Sequence, residues 1–193
     1  MTHGCNGRAR IGVLALQGAF EAHRAAFARA GANAVPVRTA AEFEGLDALV
    51  IPGGESTTML KIAGDEGLME PLRRFGRERP VFGTCAGAIL LASEVTNPSQ
   101  ESLGLMDIAV ERNAYGRQVD SRVARIELGG EETEAVFIRA PRITRVGPGV
   151  EVLARYNGDP VLVWDGRRMA ATFHPELTAD ARIHAMFLDT LKS

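Results

Sequence analysis

Only two cysteines occur in this 193-residue chain, Cys5 in a polar leader and Cys85 far along it. They are too few for a disulfide framework and lack zinc-like pairing with histidine, so the expected core holds without cross-links or a metal. Long apolar runs are missing too. Nothing approaches the ~20 residues of a membrane span, and Met1 to Arg10 (MTHGCNGRAR) has no apolar centre of a secretory signal. An excess of either charge is also lacking: the formal net charge is -2, which gives no field for gripping nucleic acid or an anionic membrane. No repeat, linker or low-complexity segment is visible. These absences predict one cytoplasmic globular domain, large enough to bury roughly two-thirds to three-quarters of its unfolded surface.

What is present reads as alternating strands and helices. Ile11 to Leu16 (IGVLAL), Ala34 to Val37, Ala48 to Ile51 and Val81 to Gly83 are short apolar runs. Phe20 to Ala30, Thr57 to Ala63, Leu68 to Arg77 and the run after Cys85 carry helical patterns. Unbroken apolar strands separated by helices are the signature of a buried parallel sheet with crossover helices. From Asp107 the texture changes. Gln118 to Leu128 alternates, and strands are expected at Ala135 to Ile138, Val150 to Tyr156, Val161 to Trp164 and Met169 to Phe173, with turns at Asn157-Gly158 and Asp165-Gly166. These predict antiparallel strands added to the sheet. Thr178 is the expected N-cap of a last helix with Ile183, Met186, Phe187 and Leu191 on one stripe.

Ligands of an open α/β sheet gather at the carboxyl ends of its strands, so the residues after each strand matter most. GTCAG, Gly83 to Gly87, has the Gly-x-nucleophile-x-Gly form of an elbow that presents its central residue at a helix start. There, orphan N–H groups and the positive dipole end favour the anionic sulfur that is the reactive species. Read alone, Cys85 is equally well a small buried hydrophobe. FHPE, Phe173 to Glu176, tips the balance. A cysteine nucleophile needs an imidazole to take and return a proton, and the imidazole needs an orienting partner. His174 and Glu176, two apart, share a face in extended backbone, although the sequence does not say which ring nitrogen meets which partner. His3, His23 and His184 read as surface residues.

PGGEST, Pro52 to Thr57, follows the third strand. Backbone N–H groups of Gly53 or Gly54, with that of Ala86, are the natural donors to an oxyanion. Taken alone a Gly-Gly is a tight turn, and the spacing and lysine of a phosphate loop are missing. No cofactor is expected.

With these residues assembled, the chain resembles the class I (triad) glutamine amidotransferases, and more closely the glutaminase subunits of pyridoxal 5'-phosphate synthase. The likeness is carried by LALQGAFEAH (Leu14 to His23), PGGESTTM (Pro52 to Met59), FGTCAGAILLA (Phe82 to Ala92), VERNAYGRQVDS (Val110 to Ser121), FIRAPRI (Phe137 to Ile143) and FHPELT (Phe173 to Thr178). It covers residues 11–193, and leaves residues 1–10 as a leader in which Cys5 inherits no role. The resemblance implies an α/β fold: a single-domain mixed, mainly parallel sheet flanked by helices, flavodoxin-like, with added antiparallel strands.

It also implies hydrolysis of L-glutamine to L-glutamate and ammonia by Cys85, His174 and Glu176. Gly53, Gly54, Glu55, Arg112, Ile138 and Arg139 would hold the substrate. Ammonia would pass to a synthase subunit in a large hetero-oligomer, whose docking arranges the oxyanion loop, with Gln17 helping to transmit it. Three rivals remain: the glutaminase of another amidotransferase, an unrelated cysteine hydrolase, and a noncatalytic subunit that kept the fold.

Overall fold

The computed structural model describes residues 9–18, 20–114 and 121–192. His3, Cys5, the Tyr115 to Asp120 part of the family-like stretch and the start of the Gln118 strand lie outside the described residues. In chain order the elements are β1 Arg10–Leu14, α1 Phe20–Arg29, β2 Asn33–Val37, β3 Ala48–Ile51, α2 Ser56–Asp65 and α3 Met69–Glu78. Next come β4 Val81–Thr84, α4 Ala86–Leu91, β5 Ala92–Thr96, β6 Met106–Glu111, β7 Arg122–Leu128 and β8 Glu131–Phe137. The chain ends with β9 Arg142–Val146, β10 Glu151–Tyr156, β11 Asp159–Trp164, β12 Arg168–Ala171 and α5 Arg182–Asp189.

A seven-stranded sheet runs β10-β11-β12-β4-β3-β1-β2. Its centre is parallel, from β12 through β4, β3 and β1 to β2, while β10 and β11 pair antiparallel at one edge. All four residues of β3 are buried, as a strand covered on both faces requires. Leu49 and Ile51 face one apolar cluster with Met59, Leu72 and Leu90; Val50 faces another with Phe27, Phe82 and Phe187. Each large side chain so buried stabilises the fold by about 1.5–3 kcal/mol. The fold is therefore α/β, a mainly parallel sheet flanked by helices on both sides.

Two expectations need correction. The alternating segment from Gln118 does not join the main sheet: β7 and β8 form their own hairpin, closed by Gly129-Gly130 at φ 62° and 84°. Positive φ at both turn residues is what a two-residue hairpin loop demands. Asn157-Gly158 makes the same kind of turn between β10 and β11. Thr178 does not cap the last helix, which starts at Arg182; its hydroxyl donates instead to the carbonyls of Pro175 and Asp180. The N-cap position is held by Ala181, and the Asp180 carboxylate just before it accepts from the first helical N–H, that of Arg182, at 2.9 Å. Strands β5, β6 and β9 form a further small sheet that the sequence did not announce.

Candidate active site

Because β1, β3, β4 and β12 are parallel neighbours, their carboxyl ends lie along one edge, and every sequence-flagged junction arrives there. Cys85 follows β4 at φ 50° and ψ -106°, off the regions an L-residue prefers. Such a conformation costs about 1–3 kcal/mol and persists only where the surroundings enforce it. They do so here. The Cys85 N–H donates to the Ala171 carbonyl at 2.8 Å, and the Cys85 carbonyl accepts from Ala88. A Cβ at Gly87 would run into the Ile51 carbonyl, and one at Gly83 would meet the backbone of Gly87. The flanking glycines thus let α4 settle against the sheet and hold the thiol at its edge.

His174 follows β12 and is anchored by its N–H to the Val136 carbonyl of β8 at 2.8 Å. Its Nδ1 lies 2.8 Å from Glu176 Oε1. The pairing does not come from extended backbone: Pro175–Leu177 is a turn of 3-10 helix, which swings Glu176 back beneath the ring. Since Nδ1 belongs to Glu176, Nε2 is the nitrogen left for the thiol. Burial opposes charge on His174, but hydrogen bonds to Cys85 and Glu176 and their negative charge outweigh it and push the ring up to about 10. Burial likewise opposes ionisation of Glu176, yet the hydrogen bond to His174 and the two nearby histidines hold it below the usual carboxylate range. His174 and Glu176 therefore form an imidazolium–carboxylate pair beside the thiol.

The flagged residues Gly54, Glu55, Cys85, Ala86, Arg112, Ile138, Arg139 and His174 line one groove of about 260 Å³, together with Ser56, Ile89 and Asn113. That is smaller than the ~300–1,000 Å³ of drug-sized ligand sites and suits one small molecule. Gly53 packs beneath it, where a Cβ would run into the His174 ring. Ala86 opens α4, so its N–H belongs to the unsatisfied first turn. The thiol lies 3.9 Å from the Ile138 carbonyl. Glu55 caps α2 through the N–H groups of Thr57 and Thr58 and meets Arg112 at 3.3 Å, while its own N–H donates to Gln17 Oε1 at 3.1 Å. A wider groove of about 850 Å³ lies at the amino ends of the strands, among Ala9, Asp47 and Pro80, away from these groups.

His23 and His184 are not surface residues; both are wholly buried. A signal existed, since Phe20, His23 and Phe27 fall at i, i+3 and i+7 on one helical face. Asn113 sits inside the family-like VERNAYGRQVDS stretch, whereas Ile89 follows Cys85 by one helical turn.

A thiol, an imidazole, a carboxylate and glycine amides around a small groove are groups that an acyl-transfer site uses. Residues 13–193 match the model of the SNO glutamine amidotransferase family. A Solibacter usitatus protein described as pyridoxal 5'-phosphate synthase subunit PdxT is 57% identical, over 94% of this chain and 99% of its own. A Koribacter versatilis protein of the same description is 56% identical over 95% and 96%. A solved structure described as a glutamine amidotransferase superposes with a TM-score of 0.89 at 49% identity, over 95% of this chain and 99% of the other. The chain belongs to the SNO glutamine amidotransferase family.

Proposed function

We propose that this chain is the glutaminase of a pyridoxal 5'-phosphate synthase, and that Cys85, His174 and Glu176 carry out the hydrolysis. The observation that carries the reading is that Cys85 and His174 line one small groove, with Glu176 bonded to the far side of the His174 ring. In the first step Cys85 Sγ attacks the side-chain amide carbon of L-glutamine, and the carbonyl oxygen becomes an oxyanion that N–H groups of Gly53 or Gly54 and of Ala86 meet. His174 gives its proton to the departing nitrogen, releasing ammonia and leaving a γ-glutamyl thioester. Water, deprotonated by His174, then attacks the thioester; glutamate leaves and the thiol is restored. Glu176 holds the ring by Nδ1 and stabilises its charge throughout.

Arg112 supports recognition of the substrate α-carboxylate, for which a guanidinium on one wall of the groove is suited. Its guanidinium donates to Glu55 Oε1 and Thr57 Oγ1, so glutamine would exchange one carboxylate partner for another. The ammonia passes to a synthase subunit that builds the coenzyme, and docking of that subunit tunes the Gly53–Gly54 segment through Gln17. No helix among the described residues is long and apolar enough to cross a membrane. The test is glutamate release from glutamine by the assembled complex. Cys85→Ala is expected to lose at least 1,000-fold, since the covalent route is gone; near-normal release would overturn the assignment.

A further inference from the structure

Behind Glu176 the protein closes a second layer of polar groups that the hydrolysis does not use. His23 of α1, Thr84 of β4 and His184 of α5 are each fully buried there. His23 Nε2 lies 3.0 Å from Thr84 Oγ1 and 3.4 Å from Glu176 Oε2, and His23 Nδ1 lies 3.0 Å from His184 Nε2. Phe82 meets both rings edge-on and Phe27 meets His184 edge-on.

Which nitrogens carry protons follows from what each can meet. Burial pulls both rings down, His23 to about 4 and His184 to about 3, so each is neutral near pH 7 and has one N–H. Glu176 Oε1 is engaged by His174, whereas Oε2 is buried with no short hydrogen bond. A carboxylate oxygen left bare in such a place is costly, and the nearest ring nitrogen able to donate to it is His23 Nε2, 3.4 Å away and shared with Thr84 Oγ1 at 3.0 Å. With the proton there, His23 Nδ1 accepts from His184 Nε2–H, and the atom left over is the unprotonated His184 Nδ1, which has no partner. The reverse arrangement would set a lone pair against the carboxylate and bury an N–H without an acceptor.

We propose that His23 is a positioning residue for the glutaminase chemistry: its Nε2–H holds Glu176 Oε2, keeping Oε1 on His174 Nδ1 and the other face of that ring toward Cys85. This rests on the triad reading of the previous section. Besides Glu176 and His174, the titratable neighbours of His23 are His184 and, beyond it, Arg29. His184 supports His23 from behind and fixes its tautomer.

The test compares His23→Gln with His23→Asn in the assembled complex. The glutamine amide reaches as far as Nε2 and can donate to Glu176; the asparagine amide stops near the position of Nδ1. We expect His23→Asn to lower kcat about ten- to hundredfold, the effect of one lost hydrogen bond to a buried charge, with KM for glutamine within about twofold. The acid limb of its pH profile should move to higher pH, because Glu176 without its donor is easier to protonate. His23→Gln should recover most of the loss. Equal behaviour of the two variants, or a loss in KM alone, would overturn the proposal. A wild-type readout needs no variant: nitrogen-15 spectra of the histidine rings should show His23 protonated on Nε2, and the opposite tautomer overturns it. Glutamate release by Cys85→Ala would remove the triad and this inference together. An inactive Cys85→Ala alongside indistinguishable His23→Gln and His23→Asn would remove this inference alone.

Discussion

Gly18, at φ 86° after β1, comes so close to Gly53 that a Cβ would run into the Gly53 carbonyl oxygen. Beside it, the Gln17 carboxamide accepts the Glu55 N–H. Two adjacent residues of one loop therefore touch both ends of the Gly53–Gly54 segment, whose amides the proposed reaction uses. Gly18→Ala is expected to push that segment aside and cut kcat about 100-fold, the usual cost of losing one oxyanion donor. Circular dichroism should show the fold retained, and unchanged turnover would argue against the coupling. That Cys85, His174 and Glu176 come together was legible, because the proposed chemistry needs fixed residue types beside glycine or proline. The buried histidines were not, because periodicity reports which face is inward without reporting which polar groups meet there. The turn that swings Glu176 under His174 was hidden for a related reason: both an extended pair and a 3-10 turn satisfy a spacing of two.

Among the elements, the parallel strands were readable from their unbroken apolar runs, and β3 matches its expected bounds, Ala48–Ile51. The short strands β5 (ASEVT) and β9 (RITRV) were not, since neither is an unbroken apolar run and adjacent exposed pairs, Ser93-Glu94 and Thr144-Arg145, break the alternation in each. Their sheet nonetheless matters, because Arg112 follows β6 directly. The β7–β8 hairpin is tied to the start of α5 by Asp180, which accepts from Thr133 Oγ1 at 2.7 Å and from the Arg182 backbone and side chain. The hydrogen bonds from Arg182 lead in lowering the Asp180 carboxyl to about 2. Asp180→Ala is expected to cost about 1–2 kcal/mol, as the loss of its charged hydrogen bonds to Thr133 and Arg182 implies. Urea unfolding measures it, and an unchanged midpoint would show that the tie is slack.

For the molecule as a whole, the histidines set opposite pH limits on stability. His23 and His184 have folded values of about 4 and 3, below the ordinary 6.5, so unfolding takes up protons as pH falls under 6.5 and the stability they allow is lost toward pH 4. His174, raised to about 10, works the other way: its contribution is complete below 6.5 and disappears as pH climbs through 10. Stability should therefore peak near pH 6.5. On the acid side the unfolding free energy should decline by up to about 2.7 kcal/mol per pH unit, the limit for two protons; a flat profile from pH 6.5 to 4.5 would contradict the buried neutral pair. The central claim is that Cys85 becomes acylated by the glutamine side chain, and a glutamine-like chloroketone tests it most directly. Incubated with the assembled complex and read by peptide mass spectrometry, it should mark Cys85 and spare Cys5, with excess L-glutamine preventing the mark. A label on Cys5 with Cys85 untouched, or labelling of Cys85 that glutamine does not slow, would contradict the account.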